Sequence, residues 1–262
     1  MGIQSWEIFC DETGCRLSPF GRKKYEQLKT QLENCHCRLL ACDPAFFANS
    51  LPTQQYWRLF PEFRKHVAYL DIETTGLGGP DDYITTVALY DGENVFHYVH
   101  GQNMERLPED LRKYKVLVTY NGSCFDLPFI RGYFGIELEQ VHIDLRFLLS
   151  SLGYRGGLKG CEKKLGIDRE ELDGVDGFFA VLLWEEYRKS RNPNALETLL
   201  AYNIADTVNL ETLMVLAYNM KLDETPFSGQ KLALPRPPDV HFHADPALVS
   251  RLRERCFSFY TF

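Results

Sequence analysis

The sequence has no long hydrophobic run. Across 262 residues no apolar stretch approaches the ~18 residues that a membrane span needs, so a membrane protein is not expected. The opening MGIQSWEIFC has no basic stretch followed by an apolar one and does not read as a secretory signal. Trp6 stands where a myristoylation site would carry Ser or Thr after Gly2. There is no internal repeat and no low-complexity tract. The 8 cysteines lack the regular spacing of a disulfide framework. They read as thiols of a reducing compartment, and a cytoplasmic location is the expectation. Positive charge is short as well: 29 Lys and Arg against 36 Asp and Glu leave −7, which argues against a protein that coats nucleic acid by charge alone.

What is present suits a packed domain: 45% apolar residues, 13% aromatics and an ordinary 25% of charged residues. The acid is concentrated in the middle. Residues 1–66 carry net +2, residues 67–218 net −10 and residues 219–262 net +1. An acidic centre repels phosphate, or it holds divalent cations that then recruit phosphate. The organisation expected is an irregular, cysteine-containing arm over 1–65, a domain over 66–220, and a proline-containing linker with a basic tail over 221–262.

Within the arm a helix is expected from about Gly21 to Glu33. In the domain, HVAYLDIETT, YITTVALY and NVFHYVH read as three antiparallel strands, the last two joined at Asp91-Gly92. A short helix near Met104–Tyr114 leads to KVLVTYN, a fourth strand. FDLPFIRGYFG reads as a helix with Pro128 in its first turn, and VHIDLRFLL as a fifth strand. Helical spacing follows in LKGCEKKLG, FFAVLLWEEYRKS and the long run from Ala195 to Lys221. A last helix is expected over Pro246–Cys256. This α/β order is the one a ribonuclease-H-like mixed sheet produces, three antiparallel strands followed by parallel ones and flanked by helices.

Several acids sit where acids are costly. Asp71 and Glu73 share a strand face with Val67 and Tyr69. Asp206 lies on an apolar helix side one turn after Tyr202. Asp126 stands between a strand and a helix. Taken singly, each has a plainer reading: an exposed strand end, a salt bridge at a stripe edge, a helix cap. Taken together in a ribonuclease-H-like sheet, they meet at one edge. Four carboxylates there repel one another unless cations lie between them, and all-oxygen ligands favour Mg²⁺ or Mn²⁺.

The motifs LDIETTGL (Leu70–Leu77), YNGSCFD (Tyr120–Asp126) and YNIAD (Tyr202–Asp206) resemble the three exonuclease motifs of the DnaQ-like 3′–5′ exonucleases, and the tyrosine of the third resembles the DEDDy subgroup. DPAFFANSLP, WRLFPEF and GGLKGCEKKLGI (Gly156–Ile167) look like the bacterial YprB-type ribonuclease-H-like exonuclease domain, over about residues 43–218. The resemblance implies a 3′–5′ exonuclease using two divalent cations, Mg²⁺ or Mn²⁺. Asp71, Glu73, Asp126 and Asp206 would be the metal ligands and Tyr202 would position the attacking water. Phenols ionise near pH 10, so a tyrosine here orients water and does not deprotonate it. Thr74, Thr75 and Leu77 would flank the terminal nucleotide, Leu77 as an apolar wedge. Lys159, with Lys163 and Lys164, is the candidate phosphate contact. Phe125 reads as core. His142 and Asp144 are candidates for orienting metal or substrate from behind.

The implied partner is nucleic acid, entering as a single-stranded 3′ end. Two other readings stay open: an endonuclease of the same fold, and a non-catalytic nucleic-acid-binding adaptor, which retention of all four acids disfavours. The C-x4-C pairs Cys10/Cys15 and Cys37/Cys42 have spacing that two halves of a structural zinc site can share, and ordinary thiols remain the alternative.

Overall fold

The computed structural model describes residues 6–10, 21–167 and 177–259, and it divides into two compact units, 1–52 and 53–262. The boundary falls ahead of residue 65, where the sequence pattern first turns regular. Among the described residues no helix is long and apolar enough to cross a membrane.

The described residues of the first unit are mostly helical. Helix α1, Arg22–Leu40, outruns the helix expected to Glu33, because QLENCHCRLL contains nothing that breaks a helix. It ends where Cys42 turns left-handed at φ 49°, and Asp43 then caps the short helix Pro44–Ala48 through Phe46 N (3.1 Å). The Tyr25 hydroxyl donates to Phe9 O at 2.9 Å. Of the cysteines considered for zinc, Cys15 lies outside the described residues. Among the described residues, Cys10, Cys37 and Cys42 are not gathered with other ligands into a group able to hold a metal ion.

The second unit is built on five strands: β1 Val67–Thr74, β2 Ile84–Tyr90, β3 Val95–Val99, β4 Val116–Thr119 and β5 Val141–Asp144. Their order is β3-β2-β1-β4-β5. β1 and β2 pair antiparallel, as do β2 and β3, whereas β4 runs parallel to β1 and to β5. This is the ribonuclease-H-like α/β sheet expected from the element order. The β2–β3 turn occupies Asp91–Asn94, with Asp91 Oδ1 accepting from Glu93 N (3.0 Å) and Asn94 N (2.7 Å) and Gly92 at φ 93°.

The middle strand β1 is covered on both faces. Ala68, Leu70 and Ile72 enter the main core with Leu89, Leu107, Leu111 and Ile130. Helix α2, Asp126–Phe134, contributes to that side, and Phe125 packs against it as expected. The opposite face carries Val67, Tyr69, Asp71 and Glu73, following the strand's two-residue period. It lies under α5, Gly177–Ser190, and the 31-residue α6, Pro193–Asp223, which crosses β1 and β2. Arg64, just ahead of β1, ties α6 to the sheet through Glu211 Oε1 at 2.8 Å.

Two further segments depart from the sequence reading. The run VHIDLRFLL is not one strand. β5 stops at Asp144, which accepts from Arg146 N (3.0 Å) and caps α3, Leu145–Ser151. Leu145, Leu148 and Leu149 recur at helical spacing and are buried, so helix burial wins over continued pairing. Helix α4, Gly157–Leu165, follows. Beyond α6 the proline-containing segment lies along the second unit as a strap. Leu232 exchanges two 2.8 Å bonds with Asn219, and the Phe242 ring meets His97 at 5.0 Å. Asp245 N donates to Thr198 Oγ1 (3.0 Å), while its side chain caps α7, Pro246–Phe259.

Candidate active site

Asp71 and Glu73 stand on the α6-facing side of β1, two residues apart, and a bulge follows between Glu73 and Thr74. The bulge ends regular pairing immediately after the acid pair and bends the chain into the next turn. Asp126 is not the cap of α2; that position belongs to Phe125. Asp126 is the first helical residue, only 4% exposed, and its Oδ1 accepts from Ile72 N at 3.2 Å. A side chain from beyond β4 is thus fastened to the strand between the first two acids. Tyr202 and Asp206 come from α6, one turn apart; Tyr202 is buried edge-on against Phe179, with ring centres 6.4 Å apart.

The carboxylates act on one another. Burial, then Asp126, Glu73 and Asp206, push the Asp71 carboxyl well above its ordinary range. Glu73 is raised to about 8, first by burial and then by Asp206, while Lys159 of α4 opposes the rise. Asp126 is raised to about 7 by burial, against the pull of its backbone donors. Mutual repulsion of this kind holds like charges apart. Among the described residues no three His, Cys, Asp or Glu side chains stand closed around a common point as a ready metal cage. The donor set nevertheless fits hard divalent cations: all oxygen, partly buried, and electrostatically strained until positive charge is supplied. The structure brings Asp71, Glu73, Asp126, Asp206 and Lys159 near one another, and Tyr202 lies one turn before Asp206 on α6.

The remaining expected residues divide. Leu77 is 94% exposed on the turn after the bulge. Thr74 and Thr75 build that turn: Thr74 Oγ1 donates to Gly76 O (2.6 Å), and Thr75 Oγ1 donates to Asp82 Oδ1 (3.2 Å) while accepting from Tyr83 N (3.0 Å). Lys163 and Lys164 are exposed, and Lys164 Nζ is spent on Arg155 O. His142 shares a 2.9 Å bond with Thr119 Oγ1, and burial holds its pKa down at about 4. It is neutral at pH 7 and sits under the β4–α2 loop. Asp144 clamps that loop by accepting from Asn121 N (2.8 Å), Ser123 N (3.0 Å) and Ser123 Oγ (2.6 Å).

Two residues were not singled out from sequence. Asn203, fully buried, donates from Nδ2 to Asp71 Oδ2 (2.7 Å) and Asp71 O (3.2 Å), and its Oδ1 accepts from Thr86 Oγ1 (3.1 Å). A hydroxyl donor on one side fixes the amide so that its NH₂ faces the carboxylate. Asp82 accepts from Gly78 N (3.0 Å) and Gly79 N (2.7 Å) as well as Thr75, and these donors hold its carboxyl below the ordinary range. It shapes the turn carrying Leu77. The available signals were an amide inside YNIAD and an acid closing the Gly-rich run GLGGPDD.

A family model described as the RNase_H superfamily matches residues 68–218, which span the sheet and all the acids above. The chain belongs to the RNase_H superfamily. A curated protein of similar sequence is the uncharacterized protein YprB of Bacillus subtilis (strain 168), 27% identical over 176 residues, 58% of this chain and 42% of the relative. The chain therefore spans less than half the length of that relative. Solved structures similar to this chain include the family B DNA polymerase of the hyperthermophilic archaeon Pyrobaculum calidifontis, with TM-score 0.46, 18% identity, and coverage of 60% of this chain and 24% of that one. Brucella melitensis NrnC is similar in a form with bound Mg²⁺ (TM-score 0.42, 19% identity, 66% and 81% covered). It is similar also in a form bound to pGG (TM-score 0.43, 20% identity, 66% and 80% covered).

Proposed function

We propose that this chain is a metal-dependent 3′–5′ exonuclease that hydrolyses phosphodiester bonds at a single-stranded 3′ end. The observation that carries the reading is the meeting of Asp71 and Glu73 of β1, Asp126 of α2 and Asp206 of α6 close enough to act on one another's charge, with Tyr202 one turn before Asp206. So many acids raise one another's proton affinity at a cost to the fold, which a purely structural role does not repay.

Asp71, Glu73, Asp126 and Asp206 would hold two Mg²⁺ or Mn²⁺ ions. Bound there, the ions would acidify the attacking water and neutralise charge on the scissile phosphate and the leaving 3′ oxygen. The chain's own part is orientation. Asn203 engages Asp71 Oδ2 and leaves Oδ1 for a ligand. Tyr202, one turn before Asp206, would hydrogen-bond the water and fix its line of approach. Lys159, already felt by Glu73, offers positive charge to the phosphate. The turn Thr75–Asp82, braced by Asp82, carries the exposed Leu77 just beyond the acid pair, where it would act as a wall that admits a free terminus and blocks a continuing strand.

The test is digestion of 5′-labelled single-stranded DNA and RNA with Mg²⁺, Mn²⁺ or chelator, with free and blocked 3′ ends. A descending ladder with released mononucleotides, abolished by chelator, by Asp71→Asn and by a 3′ block, is expected. Equal cutting of blocked or circular strands would make the protein an endonuclease. Binding without cutting would make it an adaptor.

A further inference from the structure

We propose that Arg146 and Phe147 form a stacking platform for the single-stranded segment that leads into the acidic edge, a deepening that rests on the nuclease reading above. Strands β1, β4 and β5 are parallel, so their C-terminal ends open on one side of the sheet. Ligands of open parallel sheets bind on that side. Asp71 and Glu73 lie in the C-terminal half of β1 and Asp126 follows β4; Arg146 and Phe147 follow β5.

Within the short helix α3 the neighbours Leu145, Leu148 and Leu149 are buried, whereas Phe147 is 55% exposed. An exposed phenylalanine alone is common. Here two further observations attach it to the site. The Arg146 guanidinium lies 5.8 Å from the Phe147 ring centre, and its Nη1 donates to Asn121 Oδ1, in the loop that delivers Asp126. The base of the pair is rigid, because Asp144 between β5 and α3 takes donors from Asn121, Ser123 and Arg146. Because Asp144 holds Asn121 and Ser123 of the loop that ends at Asp126, this rim borders the segment that carries that acid.

The chemistry suits a strand of nucleotides. A phenylalanine face stacks on any base, and a guanidinium reaches phosphate or stacks in turn. In a domain of net −10 over 67–218, a cation on the rim also lowers the barrier to an approaching polyanion. β5 is two strand spacings from β1, ~10 Å. The platform is therefore too far from the acid pair to serve the diester under attack, and it bears on nucleotides farther from the end. It should make the enzyme prefer longer strands without making it read sequence.

The experiment compares kcat/KM for a 5′-fluorescein single-stranded hexanucleotide and dinucleotide, in Mn²⁺, for the full chain and its Phe147→Ala, Phe147→Tyr and Arg146→Ala variants. Phe147→Ala should lower the hexanucleotide-to-dinucleotide ratio about tenfold, and Phe147→Tyr should keep it, because the ring is retained. Arg146→Ala should lower it also and flatten the salt dependence of hexanucleotide KM. Both side chains are exposed, so thermal midpoints should match the wild type; the tyrosine variant separates loss of the ring from general damage. An unchanged ratio in Phe147→Ala and Arg146→Ala, with the wild type active on both lengths, overturns the platform and leaves the nuclease reading standing. A wild type inactive on both overturns the nuclease reading and the platform with it.

Discussion

Asp126→Asn should stabilise the metal-free protein at pH 8 and leave it unchanged near pH 4. Asp126 ionises at 3.8 in an ordinary setting and at about 7 in the fold, chiefly because it is buried. Between these values the folded chain binds more protons than the unfolded one, so this group's contribution falls as pH rises, and it is lost above about 7. Asparagine keeps the oxygen that accepts from Ile72 N and carries no charge to bury. At ~1.4 kcal/mol per pH unit the whole displacement is about 4 kcal/mol. The proton is shared with neighbouring carboxylates, so we expect about half of it, about 2 kcal/mol, from one substitution. For a unit of this size that is a rise of about 4–8 °C in the melting midpoint. The assay is thermal denaturation in EDTA across pH 4–8.5, followed by circular dichroism. In Mn²⁺ the gap should narrow, since the wild type gains about 2.7 kcal/mol at a hundredfold excess over its Kd and a variant short of one ligand gains less. Equal midpoints at pH 8 in chelator would refute the claim that the buried carboxylates strain the fold.

Tyr202→Phe should lower kcat on the order of 10²-fold with KM little changed, measured by steady-state digestion of a labelled strand; an unaffected kcat makes Tyr202 a packing residue. Asn203→Leu removes the amide that orients Asp71, and Mn²⁺ titration of the free protein by electron paramagnetic resonance should show binding weakened roughly 10- to 100-fold. Gly122→Ala places a methyl against the Thr119 side chain beneath the β4–α2 loop, and chemical denaturation should report a loss of about 1–3 kcal/mol.

The strands were legible because β1 alternates faces and because Asp91-Gly92 marks its hairpin neighbours. The acids were legible because two of them break an apolar strand face and another breaks an apolar helix side. LRFLL was not, since four apolar residues in five satisfy either period and only Asp144, acting as a cap, decides for helix. Asp126 offered a false cue: its place ahead of Pro128 suits a cap, and the bond to Ile72 that defines its role joins residues 54 apart in the chain. Asn203 gives no periodic signal at all, because an amide is tolerated on many helix faces and its partners lie on β1 and β2. The C-terminal strap lacks a hydrophobic period and docks through separate bonds, so its composition alone resembled a linker.

Two of the bonds that hold helix α6 tie it to β1 and to the residue just ahead of it, Asn203 against Asp71 and Glu211 against Arg64. Asn203 and Glu211 are eight residues apart, ~12 Å of helix. One inserted residue between them would swing everything on one side by about 100°, carrying either Asp206 or Glu211 away from its station. The length of this stretch is therefore fixed by the two contacts. The spacing from Asn203 to Glu211 is a fixed ruler against which this part of the sheet is set.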